Sequence, residues 1–79
     1  MDILEQIRLI LADVFDDDEL TVTEETTAED VDGWDSFAQM QIIAGVEETF
    51  DIHFTIEEVV GFKSVGDMVR AVAEHVKGS

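Results

Sequence analysis

The chain contains no cysteine. That absence excludes a disulfide framework, a thiolate zinc site and a cysteine nucleophile at once, so any thiol chemistry would need a thiol borrowed from another molecule. Bases are scarce as well: four Lys and Arg stand against twenty Asp and Glu, a formal charge of −16. Such a surface repels phosphate backbones and anionic lipid and favours basic protein surfaces, which argues against nucleic-acid partners. No apolar run approaches the roughly 18 residues of a membrane span. The stretch Met1-Asp2-Ile3-Leu4-Glu5 carries acid where a secretory leader would carry base. The cytoplasm is the expected location. Proline is absent, and there is neither an internal repeat nor a low-complexity stretch beyond a short acidic run.

What is present is enough apolar material for one small domain spanning residues 1–79, with 46% of its residues hydrophobic. A chain of this length buries only about 60% of the surface it exposes when unfolded, so its stability is modest and a separate catalytic domain has no room. A disordered acidic tail would share the charge but not the helical spacing of the apolar residues.

Ile3, Ile7, Ile10 and Val14 share one face of a first amphipathic helix ending near Phe15, widened by Leu4, Leu11 and Phe15, with Asp2 available as its cap. From Asp16 to Asp35 the period is lost. Asp16-Asp17-Asp18-Glu19 is followed by isolated apolar anchors at Leu20, Val22, Val31 and Trp34. Loops this long are uncommon in compact domains, so a helical turn near Thr27 to Val31 is expected, or a function for the loop. Ser36 and Gln39 match a capping box that opens a second helix after Gly33. That helix runs to about Phe50, with Ile42, Ile43, Val46 and Phe50 inward, Phe37 and Met40 beside them, and Glu47 and Glu48 facing water. Ile52 and Phe54 read as buried anchors of a connector too short to pair as a strand. Thr55 and Glu58 form a second capping box before a short third helix through Ile56, Val59 and Val60, which Gly61 stops. Ser64 caps the last helix, where Val65, Met68, Val69, Val72 and Val76 recur and Lys77 suits the dipole, before Gly78 and Ser79 fray. The expected fold is all-α: a four-helix bundle with three longer helices, one short third helix and a long first loop.

The charge is uneven. Residues 1–35 hold thirteen acids and one base, Arg8, whereas residues 36–79 hold seven acids and three bases, Lys63, Arg70 and Lys77. A basic partner would approach first from the side leading up to Ser36.

Among chemistries, catalysis fails. The acids lie on polar faces or loops without the burial that raises a general acid's pKa, and neither His53 nor His75 lies near a plausible nucleophile. Both histidines read as surface or boundary residues. Calcium fails too: counted from Asp16, an EF-hand loop would need Gly where Thr21 stands and Glu where Thr27 stands. The metal expectation is none. Ser36 remains. A hydroxyl where an acidic loop meets a helix start is exposed, and a phosphodiester on it would face free backbone N–H groups and the positive end of the helix dipole. A plain N-cap serine explains the same residue.

The stretch Gly33-Trp34-Asp35-Ser36-Phe37, continued by Gln39, Met40, Ile42, Ile43, Val46, Glu47, Glu48, Phe50, Asp51 and Ile52, resembles the acyl carrier protein family around its Asp-Ser-Leu attachment motif. Phe54-Thr55 with Glu57-Glu58, and Lys63-Ser64-Val65-Gly66-Asp67-Met68-Val69, resemble the starts of that family's third and last helices. The similarity covers about the whole chain. It implies a monomeric carrier and not an enzyme. A separate Mg-dependent phosphopantetheinyl transferase would place 4′-phosphopantetheine on Ser36, and acyl or aminoacyl groups would be held on its thiol, the borrowed one. A tether of this kind raises effective concentration without tight binding.

Asp35 would contact the transferase or the arm, or cap the helix. Trp34, Phe37, Met40, Gln41, Glu47 and Glu48 would face acyl- or aminoacyl-loading and processing enzymes with basic patches. Ala38 and Gln41 stand where fatty-acid-synthesis carriers often place acids. With Trp34, they suggest a specialised pathway (polyketide, aminoacyl or modified fatty acid) over housekeeping fatty acid synthesis. The reading that competes with a contact to the arm or an enzyme, and is preferred to it, is that Trp34 pins the loop to the bundle, since buried aromatics dominate small cores. Met40, Ile43, Val46, Val59, Val60 and Phe62, with room left by Gly45, could enclose a short acyl chain or simply pack. The competing reading is an acidic adaptor without a prosthetic group.

Overall fold

The computed structural model describes residues 2–77, so the expected fraying of Gly78 and Ser79 lies outside it. Among the described residues there are four α-helices, α1 (Ile3–Phe15), α2 (Ser36–Phe50), α3 (Ile56–Val60) and α4 (Val65–Lys77), and no strand. A 3₁₀ turn at Ala28–Asp30 interrupts the long loop, within the stretch where the loop's length called for one. None of the helices is long and apolar enough to cross a membrane.

The apolar stripes read from the sequence meet in one core. Ile7 and Leu11 of α1, Ile42 and Val46 of α2, and Val65, Met68 and Val72 of α4 are all but fully buried. Each is worth about 1.5–3 kcal/mol of burial. Asp2 starts α1, its carboxylate accepting the Glu5 N–H at 3.3 Å. Asp16 ends it in the left-handed region at φ 52, a conformation that Asp tolerates better than most residues. Helices α1 and α2 approach closely at Gly45, where an added Cβ would lie 3.0 Å from Ile10 Cγ2. The missing side chain therefore serves the α1 contact and not, as expected, a space between α2 and α3.

The first loop is tied down at both ends. Val22 is buried, Leu20, Val31 and Trp34 are half-buried, and the Trp34 ring packs on Phe15 with centroids 5.9 Å apart. Midway, Val65 N–H donates to the Thr26 carbonyl and Gly66 N–H to the Glu24 carbonyl, both at 2.8 Å. Gly66 is required there by proximity, since a Cβ would sit 2.8 Å from the Glu24 oxygen.

The predicted Thr55–Glu58 capping box opens α3: Thr55 Oγ1 accepts from Glu58 N–H at 3.1 Å, and Glu58 Oε1 accepts from Thr55 N–H at 2.9 Å. Five residues can bury only one side of a helix. Val59 is half-buried, while Ile56 and Val60 are 82% and 75% exposed. An aromatic corner holds the short helix in place. Phe54 meets Phe62 edge-on at 5.1 Å and His75 at 5.4 Å, and His75 Nε2 lies 2.9 Å from Glu58 Oε2. The Thr55 backbone bond first, and then His75, hold the Glu58 carboxyl below the ordinary range. His75 is thus a boundary residue with a partner on α3, whereas the side chain of His53 is 93% exposed.

Glu47 does not face water as expected. It is half-buried, and its Oε2 accepts the Phe54 N–H at 2.8 Å, tethering the connector to α2. At the start of α4 the Asp67 carboxylate reaches back to the N–H groups of Lys63 and Ser64. Those bonds, the Lys63 one foremost, together with Arg70, lower its pKa.

Candidate functional site

The site grows from the turn that delivers the chain to α2. Gly33 takes φ +88, a left-handed conformation that glycine adopts without strain, and its carbonyl accepts the Asp35 N–H at 3.0 Å. Asp35, still extended at φ −108, is the N-cap: its Oδ1 accepts the Ala38 N–H at 2.9 Å. Ser36 is therefore the first residue of the helix and not its cap, and the expected Ser36–Gln39 capping box is not formed. The Gln39 side chain is occupied elsewhere, its Oε1 accepting the Trp34 Nε1–H at 2.6 Å. Of the two cap formers in sequence, Asp35 has taken the structural task and left the Ser36 hydroxyl exposed.

The N–H groups of Ser36 and Phe37 find no acceptor among the described residues, as the opening turn of a helix dictates. They point their partial positive charge toward whatever is joined to Ser36. Beside the hydroxyl lies an open groove of about 570 Å³, walled by Trp34, Met40, Val59 and Phe62. It is continued between α2 and α3 by an apolar cleft of about 210 Å³ along Met40, Ile43, Ala44 and Val59. An anionic group on Ser36 with a slender chain behind it fits this arrangement: donors at the root, apolar walls along the way.

The acyl-enclosing interior drawn from the sequence needs correction. Met40 is 71% exposed and Val60 75% exposed, while Val46 is sealed in the core. What exists is a cleft open to the surface, with Ile43, Val59 and Phe62 half-buried along it.

The residues expected to face partners are distributed over two flanks of α2. Met40 and Glu47 line the cleft toward α3, whereas Gln41 and Glu48 line a separate groove against α1. Phe37, expected beside the inward stripe, is 69% exposed. Trp34 is half-buried between Phe15 and Gln39, so it pins the loop, though one face borders the groove. Ala38 is 5% exposed. Its Cβ packs inward, on the side of α2 that carries Ile42 and Val46. What the sequence reading missed was the contact of Trp34 with Gln39, a five-residue separation with no periodic signature.

The chain matches the family described as the phosphopantetheine attachment site over residues 5–72. It is 36% identical over 77 residues to an acyl carrier protein of Streptococcus pyogenes, covering 98% of this chain and all of that one. It is 33% identical over 73 residues to one of Clostridium perfringens, covering 92% of this chain and 96% of the relative. The solution NMR structure of a holo acyl carrier protein from Geobacter metallireducens superposes with a TM-score of 0.91 at 36% identity, covering 99% of this chain and 90% of that one. This protein therefore belongs to the acyl carrier protein family, non-catalytic carriers whose prosthetic group is a covalently attached 4′-phosphopantetheine.

Proposed function

We propose that Ser36 Oγ is the attachment point and that the chain carries acyl or aminoacyl groups as thioesters for a specialised pathway in the cytoplasm, working as a monomer. The observation that carries this reading is the exposed Ser36 hydroxyl, released from capping by Asp35. The arm supplies the terminal thiol that a chain without cysteine lacks. The protein's own part is positional. Ser36 and Phe37 N–H groups stabilise the negative charge of a phosphodiester at the helix start. Asp35 fixes the first turn, and the Trp34–Gln39 bond holds the preceding loop against it. Phosphopantetheinyl transferase and acyl- or aminoacyl-loading and processing enzymes are the expected partners. The specialised pathway is supported by Gln41, neutral and exposed, and by a first turn of α2 that carries no acid.

Incubation with coenzyme A, Mg²⁺ and a broad-specificity transferase should add one arm, read by intact mass, and Ser36→Ala should abolish the addition. A wild-type chain left unmodified by several transferases would favour an acidic adaptor that needs no arm. Intact-mass analysis of the carrier from its native cell tests the pathway, and long saturated acyl chains as the main cargo would overturn the specialised assignment.

A further inference from the structure

Two methionines lie among the described residues, in opposite surroundings. Met68 is sealed in the core at 1% exposure, whereas Met40 is 71% exposed. Met40 stands one helical turn after Ser36, on the same face of α2. It lines both the groove beside the Ser36 hydroxyl and the apolar cleft toward α3, sharing that position with Gln39 and Val59. Its thioether therefore borders the junction of the two spaces. No cysteine of the chain competes with it for an oxidant, because there is none.

A thioether in contact with water is open to two-electron oxidation by hydroperoxides. The sulfur lone pair attacks one peroxide oxygen and the O–O bond breaks; the proton of the attacked oxygen passes to the other, which departs as water or an alcohol. Sulfur is oxidised and the peroxide reduced. The product is a sulfoxide, uncharged but strongly polar. Its oxygen only accepts hydrogen bonds, and the side chains of Ile43, Ala44 and Val59 that wall the cleft donate none. Water is then retained at the mouth of an otherwise apolar space. We propose that Met40 is a site of reversible oxidation by hydroperoxides, whose sulfoxide lowers the affinity of the α2–α3 cleft for apolar chains without altering charge or fold.

Reductases specific for each sulfoxide epimer return the side chain to the thioether, so the change can be undone. A leucine would wall the cleft equally well and could not be switched. Burial sets the selectivity, since Met68 meets an oxidant only when the fold opens. The modification itself does not depend on the attachment assignment. Its consequence for a carried acyl group does, because that group would pass Met40 on its way from Ser36 to the cleft.

The test treats the full chain with dilute hydrogen peroxide and follows each methionine by peptide mass spectrometry. In the folded chain Met40 should gain one oxygen at least about ten-fold faster than Met68, and in urea the two should react at similar rates. A mixture of both methionine sulfoxide reductases should restore the thioether. Titration with hexanol, a neutral alkyl probe, should shift the amides of Ile43, Ala44 and Val59, and the oxidised chain should bind it several-fold more weakly. Met40→Gln, polar and uncharged, should bind as weakly before any oxidant is added, while Met40→Leu should keep the wild-type affinity after peroxide. Both variants should melt cooperatively, because the side chain is exposed. Ser36→Ala should behave as the wild type does in every one of these measurements, so a failure here and a failure of arm attachment are read separately. Equal rates at Met40 and Met68 in the folded chain, no recovery with the reductases, a hexanol affinity unchanged by oxidation, or no hexanol shifts in the cleft of the reduced chain would each overturn the proposal.

Discussion

Gly66→Ala sets two forces against each other. By helix propensity alone the change should stabilise, by at most the roughly 1 kcal/mol that separates Ala from Gly in a helix interior, since Gly66 lies in the first turn of α4. The structure predicts the opposite sign. The new Cβ would sit 2.8 Å from the Glu24 carbonyl oxygen and 3.1 Å from Glu24 Cβ, and the obstructing oxygen belongs to backbone and not to the tip of a mobile side chain. Loop and helix must separate by about half an ångström to reach an ordinary contact. That separation weakens Gly66 N–H to Glu24 and its neighbour Val65 N–H to Thr26, both 2.8 Å at present. Two hydrogen bonds are worth about 1 kcal/mol each, and more when the N–H left unpaired is buried, as Val65 and Gly66 are. Subtracting the propensity gain leaves a net loss of about 1–2 kcal/mol, or a Tm lower by about 5–10 °C for a chain of this size. Thermal and urea unfolding by circular dichroism measure it, and amide exchange at residues 65 and 66 should quicken. A variant as stable as the wild type, or more so, would refute the claim that the first loop is fastened to α4 through this contact.

Three further outcomes follow from the same geometry. Asp35→Ala removes the cap of α2 and should cost about 1 kcal/mol, whereas Ser36→Ala, at an uncapped exposed position, should stay within about 0.5 kcal/mol; the reverse order in urea melts would return the cap to Ser36. Trp34→Phe keeps the ring against Phe15 but leaves Gln39 Oε1 without its donor, lowering stability by about 1 kcal/mol, and an unchanged Tm would deny that bond any weight. The pH profile has two limbs. Relief of repulsion among twenty carboxylates raises Tm from pH 7 toward about 5, as added salt does. Glu5, Glu58 and Asp67, however, have folded-state pKa values below their ordinary ones. Their contribution is complete above the unfolded values and is lost as pH falls through the folded ones, so Tm should drop below about pH 4. A Tm still rising at pH 3 would contradict this.

The helices were legible because their apolar residues keep a period that packing reuses: Ile7, Leu11, Ile42, Val46, Met68 and Val72 were assigned inward and are buried. The Thr55–Glu58 box was legible because both of its bonds span three residues of one local motif. What escaped the sequence was competition between local motifs and long-range partners. Asp35 and Ser36 are both cap formers one residue apart, and Gln39 could have closed a box with Ser36. Asp35 takes the cap, and the Gln39 side chain instead accepts from Trp34, whose ring is held by Phe15. Spacing within α2 cannot reveal that, because the Phe15 contact reaches back to the end of α1. The partner of His75 escaped for the same reason, since Glu58 lies 17 residues away. Ala38, where related carriers often place an acid, packs its methyl group inward with Ile42 and Val46. The consequence for the site is specific. The hydroxyl at Ser36 is available because Asp35 caps the helix in its place, accepting the Ala38 N–H, which leaves Oγ free at the positive end of a helix.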